Sequence, residues 1–215
     1  MFAKPFLVGI LFFACISFLN AQPPGYLGKR WTVALNNYIA PSVFDEKSLM
    51  NWQTGISMAK VVSRNFSVGM GAYLYATSSE LAIPNPSFDR SSISGWNLNV
   101  HAKHYNLFKK GNLAPIGPYQ KIEIAYWQYT FQDRFEPYQY SVRNSNLSLG
   151  IGIGSQRVIY HFITFNYGIQ ANFLLPFFLS QKTLLGGQAE HLRAYNRMRD
   201  FSALSANVGL GFLLF

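Results

Sequence analysis

Residues 146–154 read Asn-Leu-Ser-Leu-Gly-Ile-Gly-Ile-Gly, and residues 163–173 read Ile-Thr-Phe-Asn-Tyr-Gly-Ile-Gln-Ala-Asn-Phe. In the first stretch Leu147, Leu149, Ile151 and Ile153 alternate with Asn146, Ser148, Gly150, Gly152 and Gly154. In the second, Ile163, Phe165, Tyr167, Ile169, Ala171 and Phe173 alternate with Thr164, Asn166, Gly168, Gln170 and Asn172. Successive side chains of a β-strand point to opposite faces, so this period of two gives each strand one bulky apolar face and one small polar face. With a short link between them, the two stretches predict a hairpin.

The same rhythm extends outward in both directions. Upstream, strands are expected at about Arg30–Ala40, Leu49–Val61, Phe66–Thr77, Ile93–Asn106 and Pro118–Phe131, ahead of the pair at Val142–Ser155 and Ile159–Leu175. A last strand is expected over Phe201–Phe215. Helical periodicity is nearly absent. The links alternate in length: about Val62–Asn65, Leu107–Gly117 and Gln156–Val158 are short, whereas Pro41–Ser48, Ser78–Ser92, Gln132–Ser141 and Pro176–Asp200 are longer and more polar. Short turns on one side and long loops on the other characterise membrane barrels, and an even strand count returns both termini to the short-turn side.

Composition agrees. The 215-residue chain is 49% hydrophobic, 17% aromatic and only 13% charged, against roughly 25% charged for a soluble domain. Beyond the N-terminus no run of about 20 apolar residues exists to make a membrane helix. The polar face is Gly, Ser, Asn and Thr with few charges, which suits the narrow interior of an eight-stranded barrel. The apolar face is bulky and almost uncharged, which suits hydrocarbon. A sheet in lipid must also close, because an open edge leaves unpaired backbone N–H and C=O groups. Aromatics near strand ends (Trp31, Tyr38, Trp52, Phe66, Tyr75, Trp96, Tyr105, Tyr119, Trp127, Tyr129, Phe131, Tyr160 and Phe173) are expected to form interfacial girdles.

Residues 1–21 read as a secretory signal, with Lys4 before an apolar run from Phe6 to Leu19 and cleavage after Ala21. The remainder, 22–215, is a single expected barrel domain. Cys15 is the only cysteine; it reads as a small apolar residue of the signal, with a lipoprotein cysteine as the alternative. The formal charge of +9 falls to +8 without Lys4, and the basic residues are scattered, with no run longer than Lys29-Arg30 or Lys109-Lys110. An anionic membrane surface fits this pattern better than nucleic acid.

The signal, the eight alternating runs and the terminal Val208-Gly-Leu-Gly-Phe-Leu-Leu-Phe215 resemble the small bacterial outer-membrane β-barrel superfamily. The resemblance implies an all-β, closed, antiparallel up-and-down transmembrane barrel in the outer membrane. It also implies that Phe215 is an assembly signal read by the barrel assembly machinery. Phe215 has the parity of Gly209 and Gly211, so either a bulge resets the register or both parities are apolar at the rim. The fold does not supply the function.

The candidate residues are few. Gly150–Gly154 lacks the spacing of a nucleotide loop and reads as interior strand glycine. His101, Lys103, Lys121 and Glu123 share interior faces and predict a lumen network, because buried charges need partners; a proton or ion path is the sharper alternative. Lys182, His191, Arg193, Arg197 and Arg199 in the longest loop predict a contact surface for lipopolysaccharide or a membrane protein partner. Ser180, Glu190 and His191 could serve a lipid A acyl hydrolase or transferase, but Gly186-Gly187 between Ser180 and His191 favours mobility over the rigid support catalysis needs. His104 and His161 read as rim residues, no residues have metal-ligand spacing, and no cofactor is expected. The sequence therefore favours a non-enzymatic outer-membrane barrel with a structural or surface-interaction role. The lipid A enzyme and a narrow pore or secretion-apparatus component are the alternatives.

Overall fold

The computed structural model describes residues 26–41, 50–78, 90–105, 114–135, 138–185 and 189–215. The expected signal at 1–21, Cys15 included, lies outside these residues, as do most of the links after the first and third strands. The strands are β1 (Trp31–Pro41), β2 (Met50–Ser63), β3 (Phe66–Ser78), β4 (Arg90–His104), β5 (Gly117–Phe135), β6 (Tyr138–Ile159), β7 (Ile163–Leu185) and β8 (Leu204–Leu214). Each pairs antiparallel with its chain neighbour, and β1 pairs with β8, so the sheet closes into a barrel. The backbone closes with it: Arg30 N–H donates to the Leu214 carbonyl at 3.0 Å and Val61 N–H to the Arg30 carbonyl at 2.8 Å.

The expected alternation sets the faces. β8 is exposed and buried in strict alternation from Leu204 to Leu214. Leu35, Ile56, Leu74, Leu98, Ile122, Ile124, Leu149, Ile151, Ile169 and Leu210 are each about half exposed or more. Monomeric soluble proteins rarely expose so large a contiguous apolar area; a belt of this kind around a closed sheet is the surface that meets lipid. Inside lie Asn36, Asn97, Asn99, His101, Lys121, Glu123, Asn166, Gln170 and Asn207. The interior is crowded enough to demand glycine. At Gly150 a Cβ would sit 2.7 Å from Asn172 Oδ1 and 2.8 Å from Gln170 Nε2, and at Gly209 it would run into the side chains of Asn36 and Asn166.

One end carries both described termini and the short turns. The β6–β7 turn lies at Tyr160–Phe162, a few residues beyond the expected link, with Tyr160 and His161 at positive φ. β8 settles the parity of Phe215: its register with β1 runs without a shift to Trp31↔Leu214, with Leu213 buried. No bulge intervenes, and Phe215 stands past the strand, 87% exposed at the rim.

The opposite end, called distal below, departs from expectation. Gln132–Ser141 is not a long loop, because β5 runs to Phe135 and β6 resumes at Tyr138. Nor is Pro176–Asp200 a loop: β7 continues to Leu185, and helix α1 spans Ala189–Ser202. Polar residues mark loops only where one strand face must be apolar, and a sheet that rises beyond the lipid is free of that requirement. The β6–β7 register shifts between Asn146 and Ser148, whose partners are Phe178 and Leu174. Pro176, which has no N–H to donate, lies in that bulge, where strand proline is tolerated. Asn146 Nδ2 donates to the Leu175 and Phe177 carbonyls at 3.3 and 2.8 Å, so the bulge is braced by a side chain.

Candidate functional site

Two features distinguish this barrel from a bare scaffold: a charged network in its lumen and a helix over its distal mouth. The network is centred on β5, whose odd-numbered residues point inward. Lys121 Nζ lies 2.6 Å from Glu123 Oε2 and donates to Gln170 Oε1 at 2.6 Å and Tyr38 OH at 3.1 Å. Gln170 Nε2 reaches Glu123 Oε1 at 3.0 Å and Asn172 Oδ1 at 2.6 Å. A second chain links Asn207 to Asn166 and Asn166 to Asn36, each at 3.1 Å. His101 sits apart, 3.3 Å from Asn99 through Nδ1, and Lys103 donates to Gln156 at 3.4 Å and lies over the Tyr119 ring at 4.6 Å. The four expected lumen residues therefore share one interior, but only Lys121 and Glu123 are in direct contact.

Aromatic rings pack at both ends of this interior. Tyr105 and Tyr119 pack edge to face near the terminal end, with Val61 and Ala114. Towards the distal end Tyr75, Trp127, Tyr129 and Phe131 are buried in a cluster with Ala194, Tyr195 and Met198 of α1. This corrects the girdle expectation. Tyr38, Tyr75, Tyr105, Tyr119, Trp127, Tyr129 and Phe131 line the interior, while Trp52, Tyr160 and Phe173 are exposed. A ring near a strand end satisfies either role, and only its parity decides. Trp127 shares the odd numbering of Lys121 and Glu123, and its indole N–H donates inside the barrel to Ser148 Oγ at 2.7 Å.

The helix is built on a stripe at His191, Ala194, Tyr195, Met198 and Ser202, all buried. This is the i, i+3, i+4, i+7 spacing of an amphipathic helix. Sequence reading misses it because the stripe is short and its first member is histidine. Glu190 in the first turn and Arg199 in the last complement the helix dipole. Hydrogen bonds to helix carbonyls and from its tyrosine fix it to the barrel: Tyr195 OH to the Leu174 carbonyl at 3.0 Å, Asn172 Nδ2 to the Ser202 carbonyl at 2.9 Å and Asn144 Nδ2 to the His191 carbonyl at 3.1 Å.

His191 is consequently not part of an exposed contact surface; it is 4% exposed. Its Nδ1 contacts Asn144 Oδ1, and its Nε2 lies 2.9 Å from Thr183 Oγ1. Asn144 directs its Nδ2 to a carbonyl, so its Oδ1 is the acceptor and His191 carries its proton on Nδ1. That leaves the Nε2 lone pair to the Thr183 hydroxyl. The residue expected to partner His191, Ser180, instead stands opposite Ser145 in the β6–β7 register. Thr183 and Asn144 were not visible as partners because the strand extension that brings them together was itself hidden. Lys182, Arg193 and Arg199 are exposed, and Arg197 is half-buried.

No protein-family model matches the chain, and no curated protein matches its sequence. Among solved structures the chain is similar to the N-terminal β-barrel domain of OprF from Pseudomonas aeruginosa, at 8% identity and a TM-score of 0.42, with 84% of this chain and 96% of that one covered. It is also similar to Neisserial surface protein A, at 11% identity and a TM-score of 0.48, with 86% and 97% covered. By its own register and its own outer surface, the chain is a small closed antiparallel β-barrel of eight strands with an apolar outer belt.

Proposed function

We propose that this protein is a non-enzymatic outer-membrane barrel with a closed lumen, whose distal end serves a structural or surface-interaction role. The observation that carries the reading is the docked helix. Ala194 and Met198 are fully buried against the barrel mouth, while Leu192, Arg193 and Arg199 on the same helix face outward. A helix held in this way closes the mouth and presents a fixed basic surface, whereas a mobile loop would have to be ordered at each encounter. Lipopolysaccharide or a neighbouring membrane protein fits the charge of that surface. Planar-bilayer recording of the purified full chain tests the closed lumen: no steady conductance is expected, and a large, stable channel would contradict the reading. Photo-crosslinkers at Leu192 and Arg193 in native membranes test the surface: adducts are expected there, and their absence at both positions would remove the interaction role.

A second reading has one observation in its favour. Thr183, His191 and Asn144 are hydrogen-bonded in series, the order of a nucleophile, its base and the group that orients the base. In a lipid A acyl hydrolase the Thr183 hydroxyl would attack the ester carbonyl and pass its proton to His191, which would return it to the departing alcohol as the ester C–O bond breaks; water would then release the acyl group from Thr183. The same contacts also pin the helix, which needs no chemistry. Lipid A mass profiles with and without the protein separate the two: loss of an acyl chain, abolished by both Thr183→Ala and His191→Ala, would establish the enzyme.

A further inference from the structure

On the outer face of the distal extension the register sets Arg143 of β6 directly opposite Lys182 of β7. Both side chains are exposed. Directly opposed residues on one sheet face have Cβ atoms about 4.5–5.5 Å apart, and like charges in that position destabilise the pair. Arg143 Nε donates to Thr130 Oγ1 at 3.4 Å, but among the described residues neither cation has an acidic partner. A rung of paired cations calls for an anion to lie between the charges.

The position of the rung identifies the anion. On the outer face of β6 the apolar residues Leu147, Leu149, Ile151 and Ile153 lie between two exposed cations, Arg143 and Arg157, with buried Ser145 and the bulge at Asn146 separating Arg143 from Leu147. Arg143 and Arg157 are fourteen residues apart, about 48 Å along a strand at about 3.4 Å per residue. With a strand tilt of about 45° this is about 34 Å along the barrel axis, slightly more than a hydrocarbon core of about 30 Å. Arg143 therefore stands where the apolar belt ends and headgroups begin. Leu179 and Phe177, both about half exposed on β7 below Lys182, offer acyl chains a surface beneath the charged group.

We propose that Arg143 and Lys182 form a binding site for the phosphate of a phosphorylated lipid in the leaflet at the distal end. Arginine forks onto a phosphate in a bidentate manner and lysine adds a point charge, so one phosphate between them converts a repulsive rung into an attractive one. The inference rests on the membrane-barrel reading. Native mass spectrometry of the full chain in neutral detergent tests it, with lipid A, dephosphorylated lipid A and inorganic phosphate as separate probes. Lipid A is expected to remain bound; dephosphorylated lipid A and inorganic phosphate are not, the latter because it lacks the chains that seat the headgroup. The double variant Arg143→Gln/Lys182→Gln should lose lipid A binding at least tenfold, while Arg157→Gln, exposed at the opposite end of β6, should not. Thermal unfolding adds a change of sign that mere loss of structure cannot mimic. In neutral detergent Lys182→Gln should raise Tm by relieving repulsion; with lipid A present it should lower Tm relative to the unaltered protein. Unchanged lipid A binding in the double variant, or a fall in Tm without lipid, would overturn the proposal. Failure of the unaltered chain to insert into vesicles would instead overturn the membrane reading beneath it.

Discussion

At the scale of single residues, Lys121 and Glu123 carry the largest electrostatic consequence. Each is more than nine-tenths buried, and they are 2.6 Å apart. Removing one partner of a buried pair leaves a charge without compensation, at a cost of about 3–5 kcal/mol. Glu123→Gln should therefore lower unfolding stability in urea by about that amount. Adding Lys121→Met to it should recover part of the loss, so the double variant is more stable than the sum of the single changes; strict additivity would show that the two do not act as a pair. Their placement was legible in the sequence, because inward parity on β5 follows from Ile122 and Ile124 facing out. The contacts of Lys121 with Tyr38 and Gln170 were not, since they cross the lumen between strands far apart in the chain. Parity also places Trp127 and Tyr129 inward, whereas proximity to a strand end does not distinguish an inward ring from an outward one.

At the scale of elements, the pieces read least well from sequence are those that leave the membrane. Inside the belt, each strand must alternate or leave polar groups in lipid, so the sequence is constrained residue by residue. Beyond it, β6 and β7 extend with Asn144, Ser145 and Asn146 in succession, and no period of two survives to be read. The helix was hidden because its buried stripe is only a few residues long. Its docking is nonetheless specific. Tyr195→Ala would remove the ring packed edge to face on Phe178 at 5.7 Å and the hydrogen bond to the Leu174 carbonyl, at a cost of about 3–5 kcal/mol to docking, by analogy with other large buried rings. Limited trypsin digestion reads the result. The variant should be cut rapidly at Arg193, Arg197 or Arg199 while the barrel itself remains heat-resistant in detergent. Equal protection in both proteins would mean the helix is held by something other than this stripe.

At the scale of the whole molecule, the chain divides into a belt, a filled interior and a capped end. The fold class, the strand number and the two faces were legible in the sequence because hydrocarbon imposes a simple rule on every strand. The working surface was legible only as charge, since Lys182 and the arginines of α1 are visible in any reading, but the register that opposes Lys182 to Arg143 is a property of the closed sheet. The belt makes its own stability prediction. Ile151 is 54% exposed on the lipid face, and replacing it with Arg should cost about 2–4 kcal/mol of folding into bilayers. Ile151→Leu should be nearly neutral.

The most direct test of the central claim follows accessibility along β8, where exposure alternates without interruption. Nitroxide labels placed singly from Leu204 to Phe212 in the bilayer-reconstituted protein would report collisions with oxygen, which concentrates in hydrocarbon, and with a water-soluble paramagnetic reagent. High oxygen accessibility is expected at Leu204, Ala206, Val208, Leu210 and Phe212, with low accessibility to both reagents at Ser205 and Asn207. High accessibility of Ser205 and Asn207 to the water-soluble reagent would mean an open, water-filled lumen. The reversed or absent alternation would mean that this sheet does not face lipid at all.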